Sequence, residues 1–450
     1  MSGRRLTPHA DALDERLRAL LLSPVGRLCG YGAAAMTAAA FLLLMMMRTF
    51  VRLQGAGMAL RLGSVLLLSL PALLSALAAV QIVRARGGSL LDALLGCALC
   101  GAALLARVSF IERSAGDYDI YLAKWIELLA GQSFAGSMRG SVGEYNVLYQ
   151  YILYLITRLP VVPLYAVKAV SFMGDAMLAA GMARLCARDG KPSMAAFAAA
   201  LLLPAAVLNG GMFAQCDSLY AGCAVWALAL SLEGRHTRSA VCFALSLCFK
   251  LQAVFLLPMV VVLWAGRRLR LADAGVFLLT ILAVMLPALL AGKSPAAILQ
   301  IYTAQTGLYT GLTYSAPSLF GLIATEGLDV YAYGNFGMAL AFGACLALLA
   351  YGAAHAQQMN EDDHVRLGFL LVTAIVFLLP RMHDRYFYLA DMLAAALACR
   401  DRRYAPAAVM MALASLSTLW LTPVPLWGAA LLVLAGWTWV CAAGTRREEN

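Results

Sequence analysis

Apolar runs long enough to cross a membrane recur along nearly the whole chain and constrain its fold more than any other feature. Runs of roughly 15–22 residues follow one another from about residue 29 to about residue 441, and a helix needs about 20 residues to cross the hydrocarbon core. The chain is 62% hydrophobic and only 13% charged, whereas about a quarter of the residues in a soluble domain are charged. The sequence therefore predicts an all-α, polytopic integral membrane protein.

The predicted organisation is one membrane domain between two short basic ends. Residues 1–28 are expected to be a cytoplasmic basic segment, 29–441 the transmembrane domain and 442–450 a cytoplasmic tail. No small-residue cleavage site follows the first segment, so its helix is expected to be retained. The stretches 110–160 and 293–333 are rich in Tyr and Gly, and they are expected to be outer loops with helices along the membrane interface.

Short basic loops set the expected orientation, because Lys and Arg accumulate on the cytoplasmic side of membrane proteins. This rule places "RARGG", "RLCARDGK", "EGRHTR", "GRRLR" and "CRDRR" inside, together with both termini. The bundle then has about thirteen to fourteen crossings. The expected crossings are 29–47, 63–83, 89–109, 162–184, 193–209, 218–233, 239–249, 252–265, 271–292, 334–354, 367–380, 386–399, 404–421 and 425–441. One basic loop, "RTFVRLQGAGMALR", must lie outside against the rule, and "VLYQYILYLI" must be a partial or interfacial helix.

Composition also argues against several other functions. The net charge of +10 does not indicate nucleic-acid binding, because the basic residues sit in short loops where they set orientation. The Cys residues mostly lie inside apolar runs, as small hydrophobic residues do. Cys97 and Cys100 have redox spacing, but their place within a membrane helix favours packing. The sequence shows no metal-ligand spacing, so neither a metal nor another cofactor is predicted.

Charged residues gather on the outer side in this topology. The segments "ERSAGDYDIYLAKW", "NGGMFAQCDS", "CFKLQ" and "PRMHDRY" all emerge there. Ionisable residues at membrane depth are costly and usually functional. The candidate site residues are Asp117, Asp119, Asp217, Lys250, Arg381, His383, Asp384 and Arg385.

The carboxylates offer general-base chemistry. Asp117 in "SAGDYD" can accept a proton from a sugar hydroxyl. The alternative for Asp117, and equally for Asp119, is a plain loop residue or the N-cap of the following helix. Asp217 precedes an apolar helix and could also be an N-cap, but its closeness to the bilayer favours a function.

The basic groups offer phosphate binding. Lys250 lies between two apolar stretches, where an ammonium needs an anion, a water-filled cavity or a path to the interface by snorkelling. Arg381, His383 and Arg385 place three donors within five residues, enough to cradle a phosphate leaving group. A membrane-end anchor is the alternative for this cluster, but the cluster falls on the side where few basic residues are expected. Transfer on the outer side needs a lipid-linked phosphate donor, since nucleotide sugars stay in the cytosol, and a cationic group would stabilise the departing phosphate.

Five motifs in order resemble a known family. "SAGDYDIYLAKW", "VKAVSFMGDAMLA", "LPAAVLNGGMFAQCDSLY", "FKLQAVFLLP" and "LPRMHDRYFY" are similar to those of bacterial relatives of the second mannosyltransferase of GPI-anchor synthesis. These relatives are GT-C-type glycosyltransferases that depend on polyprenyl-phosphate sugars. The resemblance extends from about residue 109 to about residue 399.

The resemblance implies an inverting, metal-independent transfer of a sugar, commonly mannose, from a dolichyl- or undecaprenyl-phosphate donor. Asp117 falls at the loop carboxylate proposed as the base, and Asp217 at the Asp of the "GQxD" element. Lys250 falls at the "FKxQ" lysine. The "RMHERY" element matches Arg381, His383 and Arg385, with Asp384 where the family usually has Glu. "MFAQCD" replaces a "WGQxD" form, and "GEYNVLYQY" replaces an Asn-Tyr-Pro-Pro stretch whose prolines would stiffen the loop.

The function predicted is therefore a GT-C-like glycosyltransferase, and by the resemblance a mannosyltransferase, in the cell membrane with its active site outward. Its expected partners are a polyprenyl-phosphate-linked sugar, a glycan, lipid or protein acceptor, and membrane lipids. A transporter or lipid-linked-sugar flippase is the main alternative, because many helices with few buried charges also suit alternating access. Such a transporter should have inverted repeats, and the sequence shows none. A surface-polymer enzyme such as a polysaccharide ligase would share the site chemistry.

Overall fold

The structure is a computed structural model of the 450-residue chain. It describes residues 23–114, 116–140, 142–143, 145–304, 310–323, 325–420 and 424–448, with residues 12, 15, 16 and 19 before them. Most of the predicted basic segment 1–28 and the end of the predicted tail 442–450 lie outside the described residues.

Helices make up almost all of the regular structure in these ranges. In chain order they are α1 Pro24–Arg52, α2 Met58–Ala85, α3 Leu90–Val108, a π-helical turn Tyr118–Leu122, α4 Ala123–Ala130, α5 Phe134–Arg139, α6 Val147–Ile156, α7 Pro163–Leu185, α8 Met194–Leu202, α9 Pro204–Gly211, α10 Asp217–Leu232, α11 His236–Phe249, a 3₁₀ turn Leu251–Phe255, α12 Met259–Ala265, α13 Asp273–Leu290, α14 Pro295–Ala304, α15 Leu319–Leu322, α16 Val330–His355, α17 Glu361–Leu378, a 3₁₀ turn Asp384–Phe387, α18 Tyr388–Arg400, a 3₁₀ turn Arg402–Tyr404, α19 Ala405–Leu419 and α20 Leu426–Glu448. Two short strands, β1 Thr313–Tyr314 and β2 Met382–His383, pair in parallel. The chain is an all-α polytopic membrane protein, as predicted.

The count of full crossings is lower than the predicted thirteen to fourteen when length and apolar composition decide it. Within the described ranges seven helices pass, namely α1, α2, α3, α7, α13, α16 and α20, or up to eight with the bent pair α8–α9. Five other predicted crossings fall on α10, α11, α17, α18 and α19. Four of these helices are shorter than the 18 residues taken as the minimum for a crossing. The fifth, α17, has 18 residues but begins with the acidic Glu361, Asp362 and Asp363.

Two predicted crossings are broken. The prediction of one helix over 252–265 is wrong, because Pro258 separates the 3₁₀ turn from the seven-residue α12. The predicted helix 193–209 bends by 49° at Leu203, ahead of Pro204, and a residue before proline is pushed out of the helical conformation. The short helix expected in "VLYQYILYLI" is present as α6.

The membrane helices divide into a buried centre and an apolar periphery. In α7, 78% of the spanning window is buried, against 11% in α13 and 17% in α16. The outer helices expose large side chains such as Leu279, Leu290 and Phe342. Apolar side chains on the outside are what a surrounding bilayer requires, so α13 and α16 present lipid-facing surfaces.

The loops predicted to share the cytoplasmic side meet at one end of the bundle. The Arg86 side chain donates to the Pro192 carbonyl at 3.0 Å. Arg184 donates to Glu233 at 2.7 Å, and Arg268 donates to the Leu232 carbonyl at 2.9 Å. These contacts join four of the basic loops, so the structure places them together at one end.

The basic loop 48–61, which the orientation rule does not explain, lies toward the other end of the bundle. Arg52 pairs with Glu112 at 3.2 Å, and Arg48 approaches the same carboxylate at 3.6 Å. Arg48 also donates to the Val108 carbonyl at 3.1 Å, at the C-terminus of α3. A carboxylate and the negative end of a helix dipole thus offset these charges locally.

Candidate active site

An ion pair between two predicted site residues stands at the centre of the site. Asp117 Oδ2 and Arg385 Nη1 lie 2.7 Å apart, with the Asp117 side chain 35% exposed and that of Arg385 17% exposed. Asp117 directly precedes the π-helical turn, and Arg385 lies in the 3₁₀ turn before α18. Single π-helical turns occur frequently at functional sites. The carboxylate is therefore held by a cation and still reachable from outside.

Gln215 links this pair to the next segment. Its Nε2 donates to Asp117 Oδ2 at 3.2 Å, and its Oε1 accepts from the Tyr145 hydroxyl at 2.9 Å. Gln215 and Tyr145 were not among the predicted site residues. The available signal was a side-chain amide two residues before Asp217 in an otherwise apolar segment.

Asp217 and Lys250 form a second, buried ion pair. Asn209 Nδ2 donates to the other carboxylate oxygen of Asp217 at 2.7 Å, and Asp217 is 1% exposed. The Lys250 ammonium also lies 5.7 Å from the ring centre of Tyr145. Because both oxygens of Asp217 are engaged within the protein, its surroundings suit holding Lys250 better than taking a substrate proton. Its catalytic role stays a prediction.

His383 lies between two tyrosine rings. Tyr314 stacks on it with ring centres 5.0 Å apart, and Tyr386 lies 5.2 Å away. Burial, together with the nearby Arg385, lowers the pKa of His383 to about 4. An imidazole with this pKa is uncharged near neutral pH and still has one ring N–H to donate, so the predicted place of His383 in the phosphate cradle stays a prediction.

The backbone beside the site adopts an unusual conformation. Arg381 has a φ of +64°, Ala214 of +53° and Ser315 of +57°. The left-handed region costs a residue with a side chain roughly 1–2 kcal/mol, and such strain persists where the surrounding structure enforces it. At Arg381 the enforcing contact is its N–H, which donates to the Leu312 carbonyl at 2.8 Å.

The β1–β2 pairing brings an unpredicted segment to the site. Tyr314 pairs with His383 in register, and Ser315 forms a further bridge to His383. This segment belongs to the predicted outer loop 293–333, for which no role was predicted. Two-residue strands carry no periodic signal, so the pairing was not visible in the sequence.

Asp384 and Asp119 differ in their relation to the cluster. Asp384 accepts from the backbone N–H of Arg385 at 2.7 Å, and burial raises the pKa of its carboxyl to about 6. Asp119 is exposed on the π-helical turn. Among the described residues it makes no hydrogen bond or ion pair with the cluster, so the structure does not bring it to the site.

A cavity of about 270 Å³ adjoins the charged cluster. It lies between the 3₁₀ turn Leu251–Phe255 and the N-terminal half of α16, and Arg381 and Tyr386 border it. Its wall includes Val254, 42% exposed, and Met338, 47% exposed. A largely apolar space with an arginine at one edge suits an amphiphile that carries an anionic group.

The described residues contain no cluster of three or more His, Cys, Asp or Glu side chains that could hold a metal ion. The charged groups that could meet an anion here are arginines and a lysine.

Fold and site define a polytopic helical membrane protein with a carboxylate–arginine centre beside an apolar cavity. Residues 145–266 match the MptA_B family, described as "Alpha-(1->6)-mannopyranosyltransferase, N-terminal domain". No curated protein matches the chain. The family match supports the resemblance to mannosyltransferases, and with the apolar helices it supports a membrane glycosyltransferase. The matched range includes Gln215, Asp217 and Lys250, and it ends before Arg385.

Proposed function

We propose that the protein transfers a mannosyl residue from a polyprenyl phosphate to an acceptor hydroxyl on the outer side of the membrane, with inversion and without a metal ion. The observation that carries this proposal is the Asp117–Arg385 pair, which stands beside an apolar cavity bordered by Arg381. The family match supports the sugar. Both charged termini lie in the cytoplasm in this arrangement.

The cavity and Arg381 fit the two parts of the donor. Part of the polyprenyl chain occupies the apolar space between Val254 and Met338, whose side chains are both exposed. The phosphate lies near Arg381, because a guanidinium offers paired donors to phosphate oxygens. Aliphatic and aromatic side chains make up most of the cavity wall, and such a wall suits a prenyl chain better than the charged and strongly hydrated parts of a nucleotide sugar.

The transfer step uses Asp117 as the general base. The acceptor oxygen attacks the anomeric carbon, Asp117 takes the hydroxyl proton, and the bond between that carbon and the phosphate oxygen breaks. Polyprenyl phosphate leaves with the electron pair of the broken bond, and Arg381 stabilises its charge. Attack from the side opposite the phosphate inverts the anomeric configuration. Arg385 and Gln215 keep the Asp117 carboxylate in place.

Purified protein in lipid nanodiscs tests the donor class. We expect radiolabelled polyprenyl-phosphate mannose to label an α-1,6-linked mannose oligosaccharide, with the same rate in EDTA. GDP-mannose at equal concentration should give no product. Transfer from the nucleotide sugar alone, or loss of activity in EDTA that a divalent cation restores, would contradict the proposal. Movement of the intact lipid-linked sugar between leaflets without bond formation would favour the flippase alternative.

A further inference from the structure

A row of three polar side chains lies on α7, the most buried of the seven helices that are long and apolar enough to span the membrane. Lys168, Ser171 and Asp175 are spaced i, i+3 and i+7 on α7, so they share one face of the helix. Their exposed fractions are 0%, 0% and 2%. Ionisable groups at this depth are costly unless they serve a purpose. The row lies within the motif "VKAVSFMGDAMLA", which the proposed reaction does not use.

Lys168 holds the segment that leads to Asp117. Its ammonium donates to the carbonyls of Phe110 at 2.6 Å and Ile111 at 3.1 Å, and also to the carbonyl of Arg113. These carbonyls lie just after the C-terminus of α3, and Asp117 follows four residues after Arg113. The position of the proposed base therefore depends on a lysine that does not line the proposed donor cavity.

Ser171 holds the segment that carries Gln215 and Asp217. Its hydroxyl donates to the Gln215 carbonyl at 2.6 Å, and the Ser218 hydroxyl donates back to the Ser171 carbonyl at 2.9 Å. Gly174 permits this approach, because a Cβ there would lie 2.5 Å from the Ser218 hydroxyl oxygen. The loop before α10 is thus fixed against α7 by two reciprocal bonds.

Asp175 holds the helix that follows Arg385. The Tyr388 hydroxyl donates to Asp175 Oδ1 at 3.3 Å, and Arg107 Nε donates to Oδ2 at 2.7 Å. Tyr388 is the first residue of α18, three residues after Arg385. Arg107 extends the network to the Leu201 carbonyl at 2.8 Å.

We propose that Lys168, Ser171 and Asp175 are positioning residues that set the mutual geometry of Asp117, Gln215 and Arg385. Each member of the row binds a different one of the three segments that meet at the site, and none touches the cavity or the Asp117–Arg385 pair. This inference rests on the proposed function for its kinetic consequence. A misplacement of about 1 Å far from the reacting atoms can lower a rate about 10²-fold.

The spacing of Lys168, Ser171 and Asp175 explains how α7 alone can hold three segments. Residues i, i+3 and i+7 rise along one stripe of a helix, about 10 Å from first to last. The segments they hold therefore meet α7 at successive depths: first 110–113, then 215–218, then the start of α18. A rigid helix that contacts all three converts separate loops into one site.

Ser171→Ala tests the row with the smallest change in packing. The matched control is Ser239→Ala, since Ser239 is also fully buried and donates to the Ala227 carbonyl of a neighbouring helix at 2.7 Å, near the opposite end. With polyprenyl-phosphate mannose as donor, we expect Ser171→Ala to lower kcat at least tenfold. The donor KM and the stoichiometry of donor binding should stay within twofold of wild type, and Ser239→Ala should match wild type throughout.

Two results would overturn the positioning role. Transfer by Ser171→Ala within twofold of wild type would show that the bond to Gln215 does not matter. An equal fall of kcat and of donor-binding stoichiometry would show that the variant only loses folded protein.

Hydrogen exchange in Lys168→Met gives a readout that does not depend on activity. We expect the backbone amides of residues 110–114 to exchange at least tenfold faster than in Ser239→Ala, while the amides of α7 itself keep their protection. Unchanged exchange at 110–114 would contradict the role of Lys168. If wild type transfers no sugar but this local exchange rises, the positioning of the loop stands and the proposed function fails.

Discussion

Arg385 is the residue that holds the proposed base in place. Its guanidinium lies 2.7 Å from the Asp117 carboxylate, and it immediately follows the half-buried His383 and Asp384. An arginine in this place offers several donors in a fixed plane, whereas a lysine offers one compact charge. The pair thus supplies both the orientation of the base and local positive charge.

Replacing Arg385 separates these two contributions. We expect Arg385→Ala to lower transfer by about 10²-fold or more, and Arg385→Lys to lower it by about tenfold, because lysine keeps the charge but not the planar donors. The comparison is Arg403→Ala, since Arg403 also forms a 2.7 Å ion pair, with Asp401, at an exposed position. That variant should transfer at the wild-type rate. If both Arg385 variants transfer sugar at nearly the wild-type rate, the charged cluster has a structural role only.

His383 gives a prediction for acid stability. Its folded pKa of about 4 lies below the ordinary value of 6.5. The stabilising contribution of the neutral imidazole is therefore complete above pH 6.5 and is lost as the pH falls through about 4. We expect the drop in Tm between pH 7 and pH 4.5 to be smaller in His383→Gln than in wild type, measured in the same detergent. A drop as large as that of wild type would mean that His383 titrates normally in the folded protein.

At the level of elements, the sequence located the polar segments well and their connections poorly. The four charged segments were predicted to share a face, and the structure joins them through Asp117–Arg385 and Asp217–Lys250. Ionisable residues flanked by apolar runs are strong signals because they have few acceptable positions. Gln215 and Tyr314 carry weaker signals, since a neutral or aromatic side chain is acceptable in many places. The charged residues of α7 are visible in the sequence, but the sequence does not show which segments they bind.

The break at Pro258 shows a second limit of the sequence pattern. An apolar run from 252 to 265 has the composition of a crossing, and only the backbone shows that its first part is a 3₁₀ turn lining the cavity. Periodicity cannot separate a short buried helix from an irregular apolar segment. The turn matters for function because it forms one wall of the proposed donor site.

A bulky side chain on that turn should block the lipid chain. We expect Val254→Trp to raise the donor KM about tenfold, which corresponds to about 1.4 kcal/mol of lost binding, with little change in kcat. Val261→Trp is the control, because Val261 is similarly exposed on α12 and does not line the cavity. A donor with a short prenyl chain should be less affected than one with a long chain. An equal rise of the donor KM in both variants would show that the prenyl chain does not bind in this cavity.

At the level of the whole molecule, the two ends of the bundle differ in charge arrangement. One end joins basic loops through contacts such as Arg184–Glu233. The other holds the charged site, and there the Arg52 side chain is offset by Glu112. We propose that the first end faces the cytoplasm, in accordance with the distribution of Lys and Arg in the loops.

Single cysteines at the two ends test this orientation. Gly131 is exposed on the site side, and a Cβ there meets no atom within 4 Å. Lys191 is exposed in a basic loop at the other end. In a background with the exposed Cys29 replaced by serine, an impermeant maleimide added to intact cells should label Gly131→Cys and not Lys191→Cys. Labelling of Lys191→Cys alone would show that the orientation is the reverse of the one proposed.

In the proposed transfer step Asp117 takes the acceptor proton, and the variant Asp117→Asn removes that ability alone. The amide keeps the size of the side chain but cannot accept the proton, so transfer should fall by about 10²–10⁴-fold while polyprenyl-phosphate mannose still binds. Asp119→Asn is the matched control, because Asp119 is exposed and lies apart from the cluster. It should keep the wild-type rate. Near-wild-type transfer by purified Asp117→Asn in nanodiscs, with or without a loss in Asp119→Asn, would contradict the claim.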